Sequence, residues 1–181
     1  MDRSKYIFTS DRLGFRRWDE KDRNEFYRIN SDPLTMKYFP DILSREESDE
    51  LYERLDHHFK KFGFGFYAVD VLGEGKFIGF IGIQHIRFEA DFTPGIEIGW
   101  RLSKMYWNMG LATEGAKKCL DFAFNNLGIE KIYSFAPHSN LPSLRIMEKI
   151  GMEKAGSFIH PLLPEDSELQ PLILYQIEKK N

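Results

Sequence analysis

The chain has 181 residues, 42% hydrophobic and 29% charged, with a formal net charge of −3 and a single cysteine. That length fits one domain spanning 1–181, able to bury about 70% of the surface its unfolded form exposes, so it needs no disulfide or metal staple. The acidic balance argues against a general nucleic-acid binder, lone Cys119 excludes an internal disulfide framework and a CxxC motif, and no apolar run approaches the ~20 residues that span a bilayer.

The opening residues, Met1 to Tyr6, lack the apolar core of a signal peptide, so the cytoplasm is the expected compartment. Leu13 to Arg17 reads as a short strand. Asp19 is placed to cap a helix reaching Asn30, with Asp22 in its first turn and Phe26 and Ile29 on one face. Asp32-Pro33 breaks it. Ser44 with Glu47 three residues on forms a capping box, and Leu51, Leu55, Phe59 and Phe62 then fall on one helical stripe that Gly63 ends. Phe66 to Leu72 and Lys76 to Ile86 flank Gly73-Glu74-Gly75 and predict a hairpin, with Ile96 to Leu102 as a third strand. Leu111 to Leu127 predicts a helix stopped by Gly128. Lys131 to Ala136 is a strand, Leu141 to Ile150 a helix, His160 to Pro171 a proline-rich loop, and Leu172 to Ile177 a final strand expected at an exposed edge. Meander followed by crossover implies an α/β fold, one mixed sheet with helices on both faces.

Two segments carry chemistry. The first runs from a strand containing Glu97 into Trp107-Asn108-Met109-Gly110-Leu111-Ala112-Thr113, where a helix begins at once. Amides at a helix start have no internal partner and favour negative charge. A glycine lets a phosphate approach them, so the segment can cradle a pyrophosphate. Arg101, Lys104, Lys117 and Lys118 make the region locally basic. One glycine ahead of a helix is also ordinary turn chemistry. No GxxxxGK[ST] or GxGxxG is present. The second segment is Asn140-Leu141-Pro142-Ser143 continuing to Glu148-Lys149-Ile150-Gly151-Met152, which by itself reads as a cap at each end of a helix.

Together, in this order, the two segments resemble the GNAT superfamily of N-acetyltransferases. The family's Q/R-x-x-G-x-G/A motif reads Trp107 to Ala112 here, followed by Thr113-Glu114, with Trp in place of Gln or Arg. Trp at that position, the strand Glu97 to Leu102, and N-x-x-S…E-K-x-G-[FM] from Asn140 to Met152 are similar to the branch that includes the ribosomal-protein N-acetyltransferases. Asn108 stands where that branch often has Gly. The resemblance implies the order β-α-α-β-β-β-α-β-α-β-β, with the fourth and fifth strands splayed to admit acetyl-CoA. It implies that backbone groups of Trp100 and Leu102 line the pantetheine arm and that the Trp107–Thr113 segment, through amides of Asn108, Met109, Gly110, Leu111, Ala112 and Thr113, holds the pyrophosphate. Asn140 would bond the pantetheine or a water, and Ser143 would lie near the thioester sulfur. No metal is implied.

Acetyl transfer asks that the acceptor amine lose a proton, that the developing oxyanion be stabilised and that the leaving thiolate gain a proton. Glu97 is the candidate base, its pKa raised by an apolar strand. It reads equally as an outward-facing carboxylate or a partner for Arg101. Many relatives carry a Tyr in the helix after Asn140; here Ile146 and Met147 stand there, leaving Ser143 or solvent as the acid. Ser143 reads equally as a helix-start hydrogen-bonding residue. His85 and His58 read as structural or surface residues, His138 and His160 as neighbours of the site, and Cys119 as a small buried apolar residue. Seven carboxylates between Asp41 and Asp56 (Asp41, Glu46, Glu47, Asp49, Glu50, Glu53, Asp56) would attract a cationic amine, or form a solvated helix face. The expected partner is an unidentified primary amine, a protein N-terminus or a small molecule, with no nucleic acid and no membrane, acting in a monomer or homodimer. The competing reading is a catalytically silent acyl-CoA-binding regulatory module.

Overall fold

A computed structural model describes residues 4–180. Its elements run β1 (Phe8–Thr9), β2 (Leu13–Arg16), α1 (Asp22–Asn30), α2 (Arg45–Phe62), β3 (Phe66–Val71), β4 (Lys76–His85), β5 (Ile96–Leu102), α3 (Leu111–Asn126), β6 (Lys131–Pro137), α4 (Leu141–Lys149), β7 (Glu153–Phe158) and β8 (Leu172–Glu178), with a 3-10 turn at Lys104–Tyr106. The strands form one sheet in the order β1-β2-β3-β4-β5-β6-β8-β7. Every neighbouring pair is antiparallel except β5 and β6.

The helices cover both faces. Strand alternation sends Ile81, Ile98 and Ile132 into a core with Ala116 and Leu120 of α3 and Met147 of α4. The intervening residues Ala68 and Phe80 face the other way, against Trp18, Phe26, Tyr52 and Leu55 around α1 and α2. α3 lies close on the sheet because Gly115 has no side chain there. A Cβ on it would stand 2.4 Å from Ile81 Cδ1.

The capping box forms as expected: Ser44 Oγ accepts from the Glu47 amide, and Glu47 Oε2 accepts from the Ser44 amide at 2.7 Å. Gly63 closes α2 in the left-handed conformation, with φ 77°. The buried face of α2 is Tyr52, Leu55, His58 and Phe59, whereas Phe62 at the end of the predicted stripe is 41% exposed. Asp19 does not cap α1. Its carboxylate accepts from the Lys21 amide, one residue ahead of the helix, and the Asp22 carboxylate instead accepts from the Asp19 amide at 2.9 Å.

The far end of the sheet differs from expectation. β8 is not an edge. It lies between β6 and β7, pairing from Lys131↔Glu178 to Pro137↔Leu172 on one side, and β7 forms the edge. The two-residue β1 at the opposite edge is too short to leave a periodic signal.

A buried ionic cluster joins the first third of the chain. Arg16 donates to both oxygens of Asp22 (2.7 and 2.8 Å) and both oxygens of Asp70 (2.7 and 3.0 Å). Lys5 adds a 2.7 Å bond to Asp70, and Tyr6 a 3.2 Å one. Strands β2 and β3 and the start of α1 are thereby fixed together.

Candidate active site

β5 and β6 meet at one residue pair, Glu97↔Tyr133, while β5 pairs with β4 along its whole length. Beyond Glu97 the two parallel strands diverge. A strand presents its backbone groups alternately to its two neighbours. The carbonyl of Ile98 accepts from Ser134 Oγ at 2.9 Å, and that of Leu102 accepts from the Trp107 indole at 2.8 Å, both on the β6 side. Trp100, between them, therefore turns its N–H and C=O into the gap, where no strand meets them.

The gap opens into a cavity of about 610 Å³. Trp100, Leu102, Trp107, Asn108, Gly110, Leu111, Ala112 and Thr113 line one side, and Asn140 and Ser143 the other. Of the residues predicted for this site, Met109 and Glu97 stand apart from the lining. Met109 is 53% exposed, and its carbonyl accepts from Arg12 Nη1 at 2.9 Å. Glu97 lies at the closed end, where the two strands last pair.

The turn before α3 is built for exposed amides. Gly110 is the N-cap, with φ 77°. Its carbonyl accepts the first helical bond, from the Glu114 amide at 3.0 Å, so the amides of Leu111, Ala112 and Thr113 precede the first intrahelical donor. Asn108 is the one non-glycine residue with positive φ among those described, at 59°. Asn tolerates that region better than most side chains, which explains how it stands where glycine is common.

Glu114 braces this turn. One of its oxygens accepts from Ser10 Oγ (2.7 Å) and the Arg12 amide (2.8 Å), the other from Arg12 Nε (2.7 Å). Burial alone would raise its pKa, but these bonds hold it below the usual carboxylate value. Glu114→Ala is expected to cost about 2 kcal/mol of stability, as charge-assisted bonds do, and to show as a lowered unfolding midpoint. The contribution is present above the carboxylate's unfolded pKa and lost as pH falls through its lower folded value, so wild type and variant converge in acid.

Glu97 is half-buried and accepts from Gln84 Nε2 at 2.8 Å. Burial pushes its carboxyl up to about 7 against the lowering effect of that bond. No ion pair joins it to Arg101 among the described residues, although the two share a face of β5. Asn140 caps α4, its side-chain oxygen accepting from the Ser143 amide at 3.2 Å. Ser143 itself is among the residues that line the cavity.

The other predicted neighbours spread out. His58 and His85 pair with each other, Nε2 to Nδ1 at 3.2 Å, with His58 Nδ1 also 3.0 Å from the Phe64 carbonyl. Burial lowers both pKa values. His160 packs 4.3 Å from Phe88, and burial lowers its pKa too. His138 is exposed in the turn before α4. Cys119 is buried, and burial pushes its thiol up.

Several lining residues were not placed at the site by the sequence reading, Tyr106 of the 3-10 turn among them. Thr35, Tyr38 and Phe39 come from the segment between α1 and α2, and Arg145 and Lys149 from one face of α4. The i, i+4 spacing of the last two was available as a signal. Among the described residues, the lining contains no Asp or Glu. Four of the six α2 carboxylates are engaged elsewhere: Asp49 with Arg45 and Arg23, Glu53 with Arg23, Asp56 with Lys60, and Glu47 in its cap, while Glu46 and Glu50 are exposed.

This architecture has relatives. Residues 12–153 match the family model described as the acetyltransferase (GNAT) domain. The chain is 31% identical over 163 residues to the uncharacterized N-acetyltransferase YnaD of Bacillus subtilis (strain 168), covering 88% of this chain and 89% of that protein. A crystal structure of a GNAT-family acetyltransferase from Bacillus anthracis superposes with a TM-score of 0.77 at 27% identity, covering 94% and 96% of the two chains. The spermidine N-acetyltransferase from Vibrio cholerae, solved with CoA and spermine, shares the fold with a TM-score of 0.73 at 19% identity, over 92% and 95%. With the match spanning most of the chain and the strand gap and helix-start turn both in place, the protein belongs to the GNAT family of acetyltransferases.

Proposed function

We propose that the protein, working as one domain over 1–181, transfers an acetyl group from acetyl-CoA to a primary amine by direct attack on the thioester. The observation that carries this reading is the placement of Glu97. A carboxyl poised near 7 lies at the closed end of a gap whose open end leads to a turn of unpaired amides.

The residues fit the co-substrate. The amides of Leu111, Ala112 and Thr113 suit a pyrophosphate at a helix start. Arg145 and Lys149 supply positive charge, and no carboxylate among the described lining residues opposes it. The inward-turned backbone groups of Trp100 match the amides of a pantetheine arm. Acetyl-CoA supplies an activated acetyl thioester. Glu97 accepts the amine's proton, directly or through water, since only the neutral amine is nucleophilic. An N–H of β5 facing the gap stabilises the developing negative oxygen. The Ser143 hydroxyl is proposed to relay a proton to the departing thiolate, taking one from solvent as it gives up its own.

Calorimetric titration of acetyl-CoA tests this, with Gly110→Glu as the paired variant. Gly110 has a positive φ that L side chains rarely adopt, and a carboxylate there would oppose the pyrophosphate. Wild type is expected to bind, and the variant to bind at least about tenfold more weakly through repulsion and strain. Absence of binding to wild type overturns the proposal. Binding without thiol release on any primary amine identifies a regulatory acyl-CoA module instead.

A further inference from the structure

Arg101 is the anomaly of the cavity. It projects from β5 on the face that carries Glu97, opposite the face that packs on α3. Its guanidinium stacks 4.0 Å from the centroid of Phe39 and 5.5 Å from that of Phe80. Nη1 donates to Asn30 Oδ1 at 2.7 Å. Asn30 is fully buried and is held in turn through its amide nitrogen by Ser48 Oγ at 2.9 Å. Nε is buried and has no acceptor, and no carboxylate among the described residues comes within ion-pair distance.

A fold rarely leaves a guanidinium so well oriented and so poorly paid in charge. Burial alone pulls its pKa down to about 9, with no neighbouring anion to offset it. Arg101 as a whole is half-buried, and a cation drawn out of water is stable when paired and costly when it is not. Here the supports are geometric: a stacked ring, a held amide, and a place in the cavity lining. Such supports hold a planar fork in the orientation that a carboxylate accepts bidentately.

All the supports come from one side. Asn30 ends α1, Phe39 lies between α1 and α2, and Phe80 is in β4. The amide turn, Arg145 and Lys149 stand on the α3 and α4 side, where pyrophosphate is proposed to bind. Arg101 is therefore positioned toward the other reactant. We propose that Arg101 is a specificity-determining residue of the acceptor subsite, recognising a carboxylate, so that the acceptor is an amine that also carries an acid group. This rests on the acetyl-transfer reading above and names its substrate class.

The charge distribution agrees. Among the described residues the cavity lining has Arg101, Arg145 and Lys149 and no acidic side chain, while most of the acidic residues of α2 are engaged by arginines, a lysine or the helix cap. A polycation would find no counter-charge in the lining. Glu97 and Arg101 stand four residues apart on one strand, with Cα atoms about 13 Å apart, so the amine and the acid occupy different ends of the acceptor.

The test uses acceptors matched in length and differing in one group. 5-Aminovalerate is compared with 5-aminovaleramide and 1,5-diaminopentane, and C-terminally amidated Gly-Glu with amidated Gly-Gln, by thiol release from acetyl-CoA. In at least one series the carboxylate member is expected to lead in kcat/KM by about tenfold or more, carried mainly by KM, as a charge-assisted bidentate pair requires. Arg101→Gln should bring the ratio within that series close to one. Arg101→Lys, keeping the charge without the fork, should restore part of it. Acetyl-CoA titration of each variant shows that it is folded and loads the co-substrate. Preference for the amide or the diamine overturns the proposal, as does a carboxylate preference that survives Arg101→Gln. Binding of acetyl-CoA with turnover of no carboxylate-bearing acceptor overturns it too, while leaving the co-substrate site intact. Failure of wild type to bind acetyl-CoA removes the underlying reading and this one with it.

Discussion

Glu97→Gln is expected to lower kcat/KM for acetyl transfer by about 10²–10⁴, the range typical of a lost general base. The glutamine keeps the size and can still bond Gln84, so the change falls on proton acceptance. The pH profile separates a base from a strut. Glu97 ionises at about 7 because burial disfavours its charged form. Activity in wild type should therefore fall as pH drops below about 7, where the carboxyl is protonated and cannot accept. A primary alkylamine ionises near 10, as lysine does, so its own limb lies well above that of Glu97. In Glu97→Gln the limb near 7 should vanish while acetyl-CoA affinity stays as it was. A variant that keeps the limb and loses less than about tenfold shows that Glu97 is not the base.

Asp70→Ala is expected to lower the unfolding free energy by about 3 kcal/mol or more, measured by urea denaturation. Asp70 is fully buried and meets Arg16 through both oxygens. Removing it leaves the mostly buried Arg16 with Asp22 alone. Lys5→Ala, which removes a half-exposed partner of the same carboxylate, should cost less than about 1 kcal/mol. Burial would raise the pKa of Asp70, but Arg16 and Lys5 hold it below the usual value. Its contribution is thus present above the unfolded carboxylate pKa of about 3.9 and disappears as pH falls through the lower folded one. A difference between wild type and Asp70→Ala that persists undiminished below both values would contradict this account.

Sequence patterns revealed the elements that carry their own signals. The Ser44–Glu47 box, the Gly63 stop, the glycine-bracketed hairpin and the helix after Gly110 need only local chemistry, and all formed. β7 was harder to read because an edge strand needs little apolar surface. Glu153 to Phe158 is mostly exposed and shifts register between Lys154 and Gly156. That missing neighbour is why β8 was expected at an edge. The buried face of α2 differs from the predicted stripe because Phe62 stays 41% exposed with its ring beside His85, whereas His58 turns in to meet His85 and the Phe64 carbonyl.

At the site, the motif segments showed which residues would gather, and most of them line the cavity. In the sequence Arg101 is one of several cations making its region basic and a candidate partner for Glu97. What distinguishes it depends on Asn30, Phe39 and Ser48, which lie more than fifty residues away along the chain and have no pattern linking them to β5. Local reading finds turns and caps. It does not show which cation will be left without an anion once distant parts of the chain meet.

The single pairing between β5 and β6 has a mechanical consequence. It leaves a five-stranded portion and a three-stranded portion held to each other by that pair, by α3, and by the helix cores beneath. The covalent link from β5 to β6 passes through the amide turn and α3, so a co-substrate bound as proposed, by that turn, Trp100 and Asn140, would touch both portions at once. It acts as a staple. By mass action, a ligand present at a hundred times its Kd and absent from the unfolded chain adds about 2.7 kcal/mol to the folded state. The two portions are then hardest to part when the co-substrate is plentiful, which ties the lifetime of the protein against proteolysis to the supply of the molecule it consumes.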